Sequence, residues 1–218
     1  MKKLQWRRGN SGSGKMHTYP PIVLMKNAII IHGMPSEEQY VAAGRRAADS
    51  HWIPWIKERL EREGIETHAP EMPEPYKPVY ERWSGVLEAL PIGPDTILIG
   101  HSCGGGFLVR WLSENKVAVG QVVLVAPWID PTKKFAPDFF DFSIDTHLAS
   151  RTKAITLFIS EDDDQDELIT CEILATHIEG LVVKRFTDYG HFTLGGMGTN
   201  EFPELLEHIL QDSEGKPR

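Results

Sequence analysis

The sequence predicts an α/β fold: a mostly parallel central sheet with helices on both faces, three layers in all. Three observations lead there. Short apolar runs without polar alternation recur along the chain, as strands buried on both faces require. Amphipathic segments of helical length separate them. The two patterns alternate, and parallel strands need such crossovers because a tight hairpin cannot join them. The alternation repeats in pattern only, with no internal sequence repeat.

The elements follow in order. Residues 28–31 (AIII) form an apolar strand ending at His32-Gly33. Residues 51–63 read as a helix, with Trp52, Ile53, Trp55, Ile56 and Leu60 on its apolar side, Ser50 as N-cap and Gly64 as stop. Residues 65–69 are a short strand, and the proline-rich residues 70–78 a loop. A second helix covers 79–90, with Trp83, Val86, Leu87 and Leu90 inward, and Pro91, Gly93 and Pro94 ending it. Residues 96–99 are a strand, followed by a glycine-rich turn and a helix over 106–115. Strands at 121–125, 154–159 and 181–186 and helices at 166–177 and 201–210 complete the set. Only 28 residues lie between the strand ending at Val125 and the one starting at Ala154, too few for a large cap.

Charge and composition bound the function. The 218 residues carry 23 bases and 31 acids, a net charge of −8, and the 41% hydrophobic content suffices for a sizeable core. Residues 1–26 hold six bases and no acid, leaving 17 bases and 31 acids in the remainder. That acidic body excludes a nucleic-acid partner, which needs clustered Lys and Arg against phosphates. Residues 1–26, with the GNSGSG stretch, read as a flexible basic extension; residues 27–210 read as one domain and 211–218 as a polar tail. No run of about 18 apolar residues exists, so no membrane span is expected. The basic start lacks the apolar stretch of a secretory signal. Two cysteines, Cys103 and Cys171, make no disulfide framework and fit a reducing, cytoplasmic setting. Neither has metal-ligand spacing, so no metal is expected.

In an open parallel sheet, ligands bind at the carboxyl ends of the strands. The turns after Ile31, Ile99, Ile159 and Phe186 therefore share one rim. On it lies Gly100-His101-Ser102-Cys103-Gly104, a G-x-S-x-G pattern between a strand and a helix. This context suits a nucleophilic serine on a strained turn, its flanking glycines allowing close backbone approach. A phosphate loop is the competing reading, but neither G-x-x-x-x-G-K-[ST] nor G-x-G-x-x-G occurs. A serine hydroxyl needs a base and an orienting acid, in the chain order Ser, Asp, His for this turn. Of nine histidines, His191 alone follows a late strand end behind a glycine. His101 is a poor base by its direction off the turn, and His51 reads as a capping or packing residue. The acid comes from the run Glu161 to Glu167 (EDDDQDE), otherwise a solvated charge run. Asp163 is the choice, Asp162 a rival and Asp188 a remote one. A calcium loop fails for want of a glycine. The oxyanion hole is assigned to the backbone N–H groups of Met34 and Cys103.

These residues carry a resemblance. The HG turn, GHSCGG and DYGHF resemble the α/β-hydrolase superfamily. His51-Trp52-Ile53-Pro54-Trp55-Ile56-Lys57, Glu71-Met72-Pro73-Glu74-Pro75 and the segment from Phe186 to Phe192 resemble the small serine hydrolases of the retinoblastoma-binding-protein-9 and YdeN type. The resemblance spans about residues 27–210 and implies an α/β-hydrolase fold with a minimal cap. It also places the acid on the second aspartate of an S-x-D-D segment, which is Asp163. Asp164 departs from the family's turn residue, and the polar stretch between Met34 and Ser50 is extra. The expectation is a cofactor-free, carboxylesterase-like serine hydrolase acting on a small ester, thioester or amide. The acidic rim favours neutral or cationic substrates over anionic ones. Pro127-Trp128-Ile129 and residues 134–142 (KFAPDFFDF) supply a pocket wall or simply a cover for the sheet. The alternative function is a protein-binding module with incidental hydrolysis, motivated by a family named after a protein partner.

Overall fold

The computed structural model describes residues 26–213; the expected extension before residue 26 and the end of the tail lie outside the described residues. The apolar runs pair into one sheet of six strands: β1 (Asn27–Ile31), β2 (Glu66–His68), β3 (Ile97–His101), β4 (Val119–Val125), β5 (Thr152–Ser160) and β6 (Val182–Phe186). Their order is β2-β1-β3-β4-β5-β6, and every neighbouring pair is parallel. Among the described residues seven α-helices accompany them: α1 (Glu37–Ala43), α2 (Ile53–Arg62), α3 (Tyr80–Glu88), α4 (Cys103–Asn115), α5 (Gln165–His177), α6 (Leu194–Met197) and α7 (Pro203–Ser213).

Strand side chains alternate between faces, so each apolar run feeds two cores. Ile29, Ile31, Leu98, Val122, Leu124 and Leu157 face one core with Trp83 of α3, Phe107 of α4 and Leu174 of α5. Ala28, Ile30, Ile97, Ile99, Val123, Val125 and Phe158 face the other with Trp52, Ile56 of α2 and Phe202, Leu205 beside and on α7. Burial on both sides explains why β1, β3 and β4 lack polar alternation; all their residues are buried.

The chain runs outward from β1 to β2, then returns across β1 to β3 and continues to β6. The strand order therefore reverses between β1 and β3, the place where such sheets open a crevice. Ile31 pairs with Gly100, and His101 with Val125, so the loops after β1, β3 and β4 leave the sheet together. Between β4 and β5 the only helical piece is a 3-10 turn, Leu148–Arg151, so no cap domain is inserted there.

Three local expectations are corrected. Helix α4 starts at Cys103 rather than at residue 106, because the turn after β3 enters the helix directly. The N-cap of α2 is Trp52, not Ser50; Pro54 in the first turn fixes the start, and Ser50 contributes only its carbonyl, which accepts from Ile53 N–H at 3.3 Å. The loop between β1 and α2 contains α1, opened by a capping box of Ser36 with Gln39.

Candidate active site

The turn after β3 is strained, and its neighbours hold it. Ser102 has φ 53° and ψ −124°, a left-handed conformation costly for a residue with a side chain. Its N–H donates to the Val125 carbonyl at 2.9 Å. Its carbonyl accepts from Gly105 at 2.9 Å, Trp128 at 3.0 Å and Gly106 at 3.2 Å. Glycine is required where the β1 loop crosses: a Cβ on Gly104 would lie 2.4 Å from the His32 carbonyl oxygen. One on Gly33 would lie 3.0 Å from the Ser102 Cβ. The consequence is a serine carried on a rigid corner, with the loop 32–34 pressed against it.

The loop after β6 brings His191 to the same rim. Its Nδ1 lies 3.0 and 3.2 Å from the two carboxylate oxygens of Asp163. The Asp163 side chain is 1% exposed and that of His191 26%, so the acid is shielded while the imidazole reaches solvent. With Nδ1–H donating to the carboxylate, Nε2 keeps its lone pair. Burial pulls the His191 pKa down, but the hydrogen bond and charge of Asp163, with Glu167 and Asp164 beyond, outweigh it and raise the pKa above the ordinary histidine value.

The rival aspartates lie elsewhere. Asp162 accepts the Ser160 hydroxyl and the Gly190 N–H, the latter at 3.1 Å, so it staples the β5 loop to the β6 loop. These donors, the Ser160 hydroxyl first, hold its carboxyl below the usual range. Asp188 is exposed, with φ 62°.

Met34 lines two cavities that meet at Ser102 and His191. Cys103 is the first residue of α4, where the N–H has no partner within its own helix. Its side chain is fully buried, and burial raises the thiol pKa, so the thiol stays protonated. One cavity, of about 430 Å³, runs between α1 and the start of α2, past Tyr40, Arg45 and His51. The other, of about 420 Å³, is walled by Trp128, Phe135 and the first turn of α5. The aromatic segment thus divides: Trp128 and Phe135 line a cavity, whereas Phe139 packs on Trp83 at 5.1 Å and covers the sheet. Asp130, which the sequence reading did not single out, shapes that segment by accepting from the N–H groups of Lys134, Phe135 and Ala136.

The model of the Serine hydrolase family matches residues 41–210, most of the chain. This chain belongs to the serine hydrolase family. YdeN of Bacillus subtilis (strain 168) is 28% identical to this serine hydrolase over 137 residues, 60% of this chain and 72% of YdeN. The crystal structure of the B. subtilis ydeN gene product superposes with a TM-score of 0.73 at 25% identity, covering 88% of this chain and 100% of that one. A pyrethroid hydrolase from Sphingobium faniae JZ-2 shares the fold, with a TM-score of 0.57 at 13% identity over 87% of this chain and 97% of that one.

The family-like motifs outside the turn have structural tasks. The Glu71 carboxylate accepts from the N–H groups of Ala47 and Ala48 at 3.1 and 3.0 Å. His32 Nε2 accepts the Met72 N–H at 3.0 Å, which leaves Nδ1–H to donate to the Gly33 carbonyl at 2.8 Å. The proline-rich loop thereby anchors the Gly33–Met34 corner. Nothing in the spacing of His32 within the sequence hints at this anchoring. No helix among the described residues is long and apolar enough to cross a membrane. The single group among them able to hold a metal, Asp163, Glu167 and His191, brings ligand atoms within 4.8 Å of one another.

Proposed function

We propose that this serine hydrolase cleaves a small ester, thioester or amide by acyl transfer, with Ser102 as nucleophile, His191 as base and Asp163 as the orienting acid. The observation that carries the reading is the Asp163–His191 contact on the rim where Ser102 faces two cavities. In this mechanism Ser102 attacks the substrate carbonyl as His191 Nε2 takes its proton. Asp163 holds the imidazole in the tautomer that leaves Nε2 free and stabilises the imidazolium. The N–H groups of Met34 and Cys103 receive the developing oxyanion, each worth about 3–4 kcal/mol in a dry site. His191 then returns the proton to the leaving group, and water repeats the sequence in reverse to free the acid. The chemistry calls for no metal or organic cofactor. Two cavities meeting at the serine suit a substrate with one group on either side of the scissile bond, a small molecule rather than a polymer.

The reading is tested with p-nitrophenyl esters of rising chain length. Wild-type protein should hydrolyse the short esters, and Ser102→Ala should reduce kcat by several orders of magnitude with the fold intact by circular dichroism. Equal turnover in the variant would reject Ser102, and no turnover of any ester by the wild type would favour a binding function.

A further inference from the structure

Acyl transfer assigns no step to His51, Trp52 or His101, yet all three converge on one loop. That loop, residues 188–194, carries His191 and bends sharply. Asp188, Gly190 and Phe192 have φ of 62°, 50° and 50°, two of them on residues with side chains. Such backbone persists only where its surroundings over-determine it. Asp162 grips the loop upstream through the Gly190 N–H. Downstream, three side chains grip it by its main chain. His101 Nε2 lies 2.9 Å from the His191 carbonyl oxygen. Trp52 Nε1–H donates to the Phe192 carbonyl at 3.0 Å. His51 Nδ1 accepts the Leu194 N–H at 3.2 Å.

The chemistry of each partner fixes its proton. A carbonyl only accepts, so His101 carries its proton on Nε2. The ring is 3% exposed; burial first, then the neighbouring His191 and His51, hold its pKa well below the ordinary value, so it stays neutral. His101 immediately precedes Ser102 at the end of β3. Its bond therefore ties the backbone bearing the nucleophile to the backbone bearing the base. The rings also touch, His101 lying tilted 5.1 Å from His191 and edge-on 5.7 Å from Trp52.

We infer that His101 and the His51-Trp52 pair are positioning residues, a clamp that sets where the main chain of His191 stands relative to Ser102. Asp163 fixes the rotation of the imidazole; the clamp fixes the point from which the ring hangs. The inference rests on the reading of Ser102 and His191 as nucleophile and base. It also gives the HW pair a reason that packing alone does not supply, since the fully buried Trp52 ring spends its N–H on the Phe192 carbonyl.

The test compares His101→Leu, which removes the donor at similar volume, with His101→Gln, which restores one. Trp52→Phe keeps a ring and loses the N–H, and serves if His101→Leu fails to fold. With p-nitrophenyl acetate, His101→Leu and Trp52→Phe should lower kcat by up to ~10²-fold, the scale of a ~1 Å misplacement, with KM nearly unchanged. The acid limb of kcat/KM should move to lower pH as His191 loses its steady contact with Asp163. His101→Gln should recover most of both effects. The proton on His191 Nδ1 gives a substrate-free readout by NMR. It should be sharp and far downfield in the wild type and in His101→Gln, and broadened in the other two. A sharp resonance with wild-type kcat in His101→Leu and Trp52→Phe would overturn the clamp. So would an equal loss in His101→Gln and His101→Leu. A wild type that hydrolyses no ester while the resonance still responds as expected would reject the acyl-transfer reading and keep the clamp.

Discussion

Ser102 and His191 differ from the other serines and histidines of the chain in backbone as much as in side chain. Ser102 sits at a left-handed φ of 53° that three donors to its carbonyl hold in place. His191 leans on a carboxylate that solvent barely reaches. The raised pKa of His191 fixes the sign of two pH effects. Only neutral imidazole can take the serine proton, so kcat/KM should rise with pH, with a midpoint above about 6.5. The stability that the Asp163 contact lends to charged His191 runs the other way. It is fully present below the unfolded value near 6.5 and is lost as pH climbs through the higher folded value. A pH–rate profile that is flat from about pH 5 to 8 would contradict the assignment. The aspartates separate by substitution. Asp163→Asn should cost about 10⁴-fold in kcat through the wrong tautomer, as measured by ester hydrolysis at fixed pH. Asp162→Asn should cost far less, because it only loosens the Gly190 staple. The candidate serine and histidine stand out in the sequence because a strand precedes each. The candidate acid is only narrowed by spacing and resemblance, since EDDDQDE has no internal period. What parts Asp162 from Asp163 is which one the Ser160 hydroxyl and the Gly190 N–H engage, a tertiary fact.

At the scale of elements, the site depends on two turns that approach closer than side chains allow. Gly104→Ala would set a methyl 2.4 Å from the His32 carbonyl, a backbone atom that cannot swing away. The expected outcome is a large loss of thermal stability, seen as a drop in the melting midpoint or in soluble yield. The same elements show what a sequence displays and hides. The strands of the central sheet were legible because burial on both faces leaves an unbroken apolar run. Helix α1 was not, because none of its residues is buried and it prints no apolar stripe. Its capping box, Ser36 with Gln39, was the available signal. The true start of α4 was hidden because Gly104, Gly105 and Gly106 are poor helix formers, retained there for close approach.

For the molecule as a whole, the parallel sheet divides the chain into two cores and leaves one edge for chemistry. The strand order reverses between β1 and β3, and both cavities open beside that point. Phe135 stands at 68% exposure on the wall of one cavity. Phe135→Ala should therefore leave the unfolding midpoint nearly unchanged while lowering kcat/KM for long or aromatic esters more than for acetate. A uniform loss across the ester series would remove Phe135 from the substrate wall. The central claim, that Ser102 is the activated nucleophile of the Asp163–His191 pair, is tested most directly with a fluorophosphonate probe and mass-spectrometric mapping of the adduct. The account predicts one adduct, on the peptide containing Ser102, absent in Ser102→Ala. It should persist in Ser113→Ala, whose hydroxyl is engaged by the Asp145 N–H at 3.1 Å. A folded wild-type protein that takes up no probe, or takes it up at another residue, would contradict it.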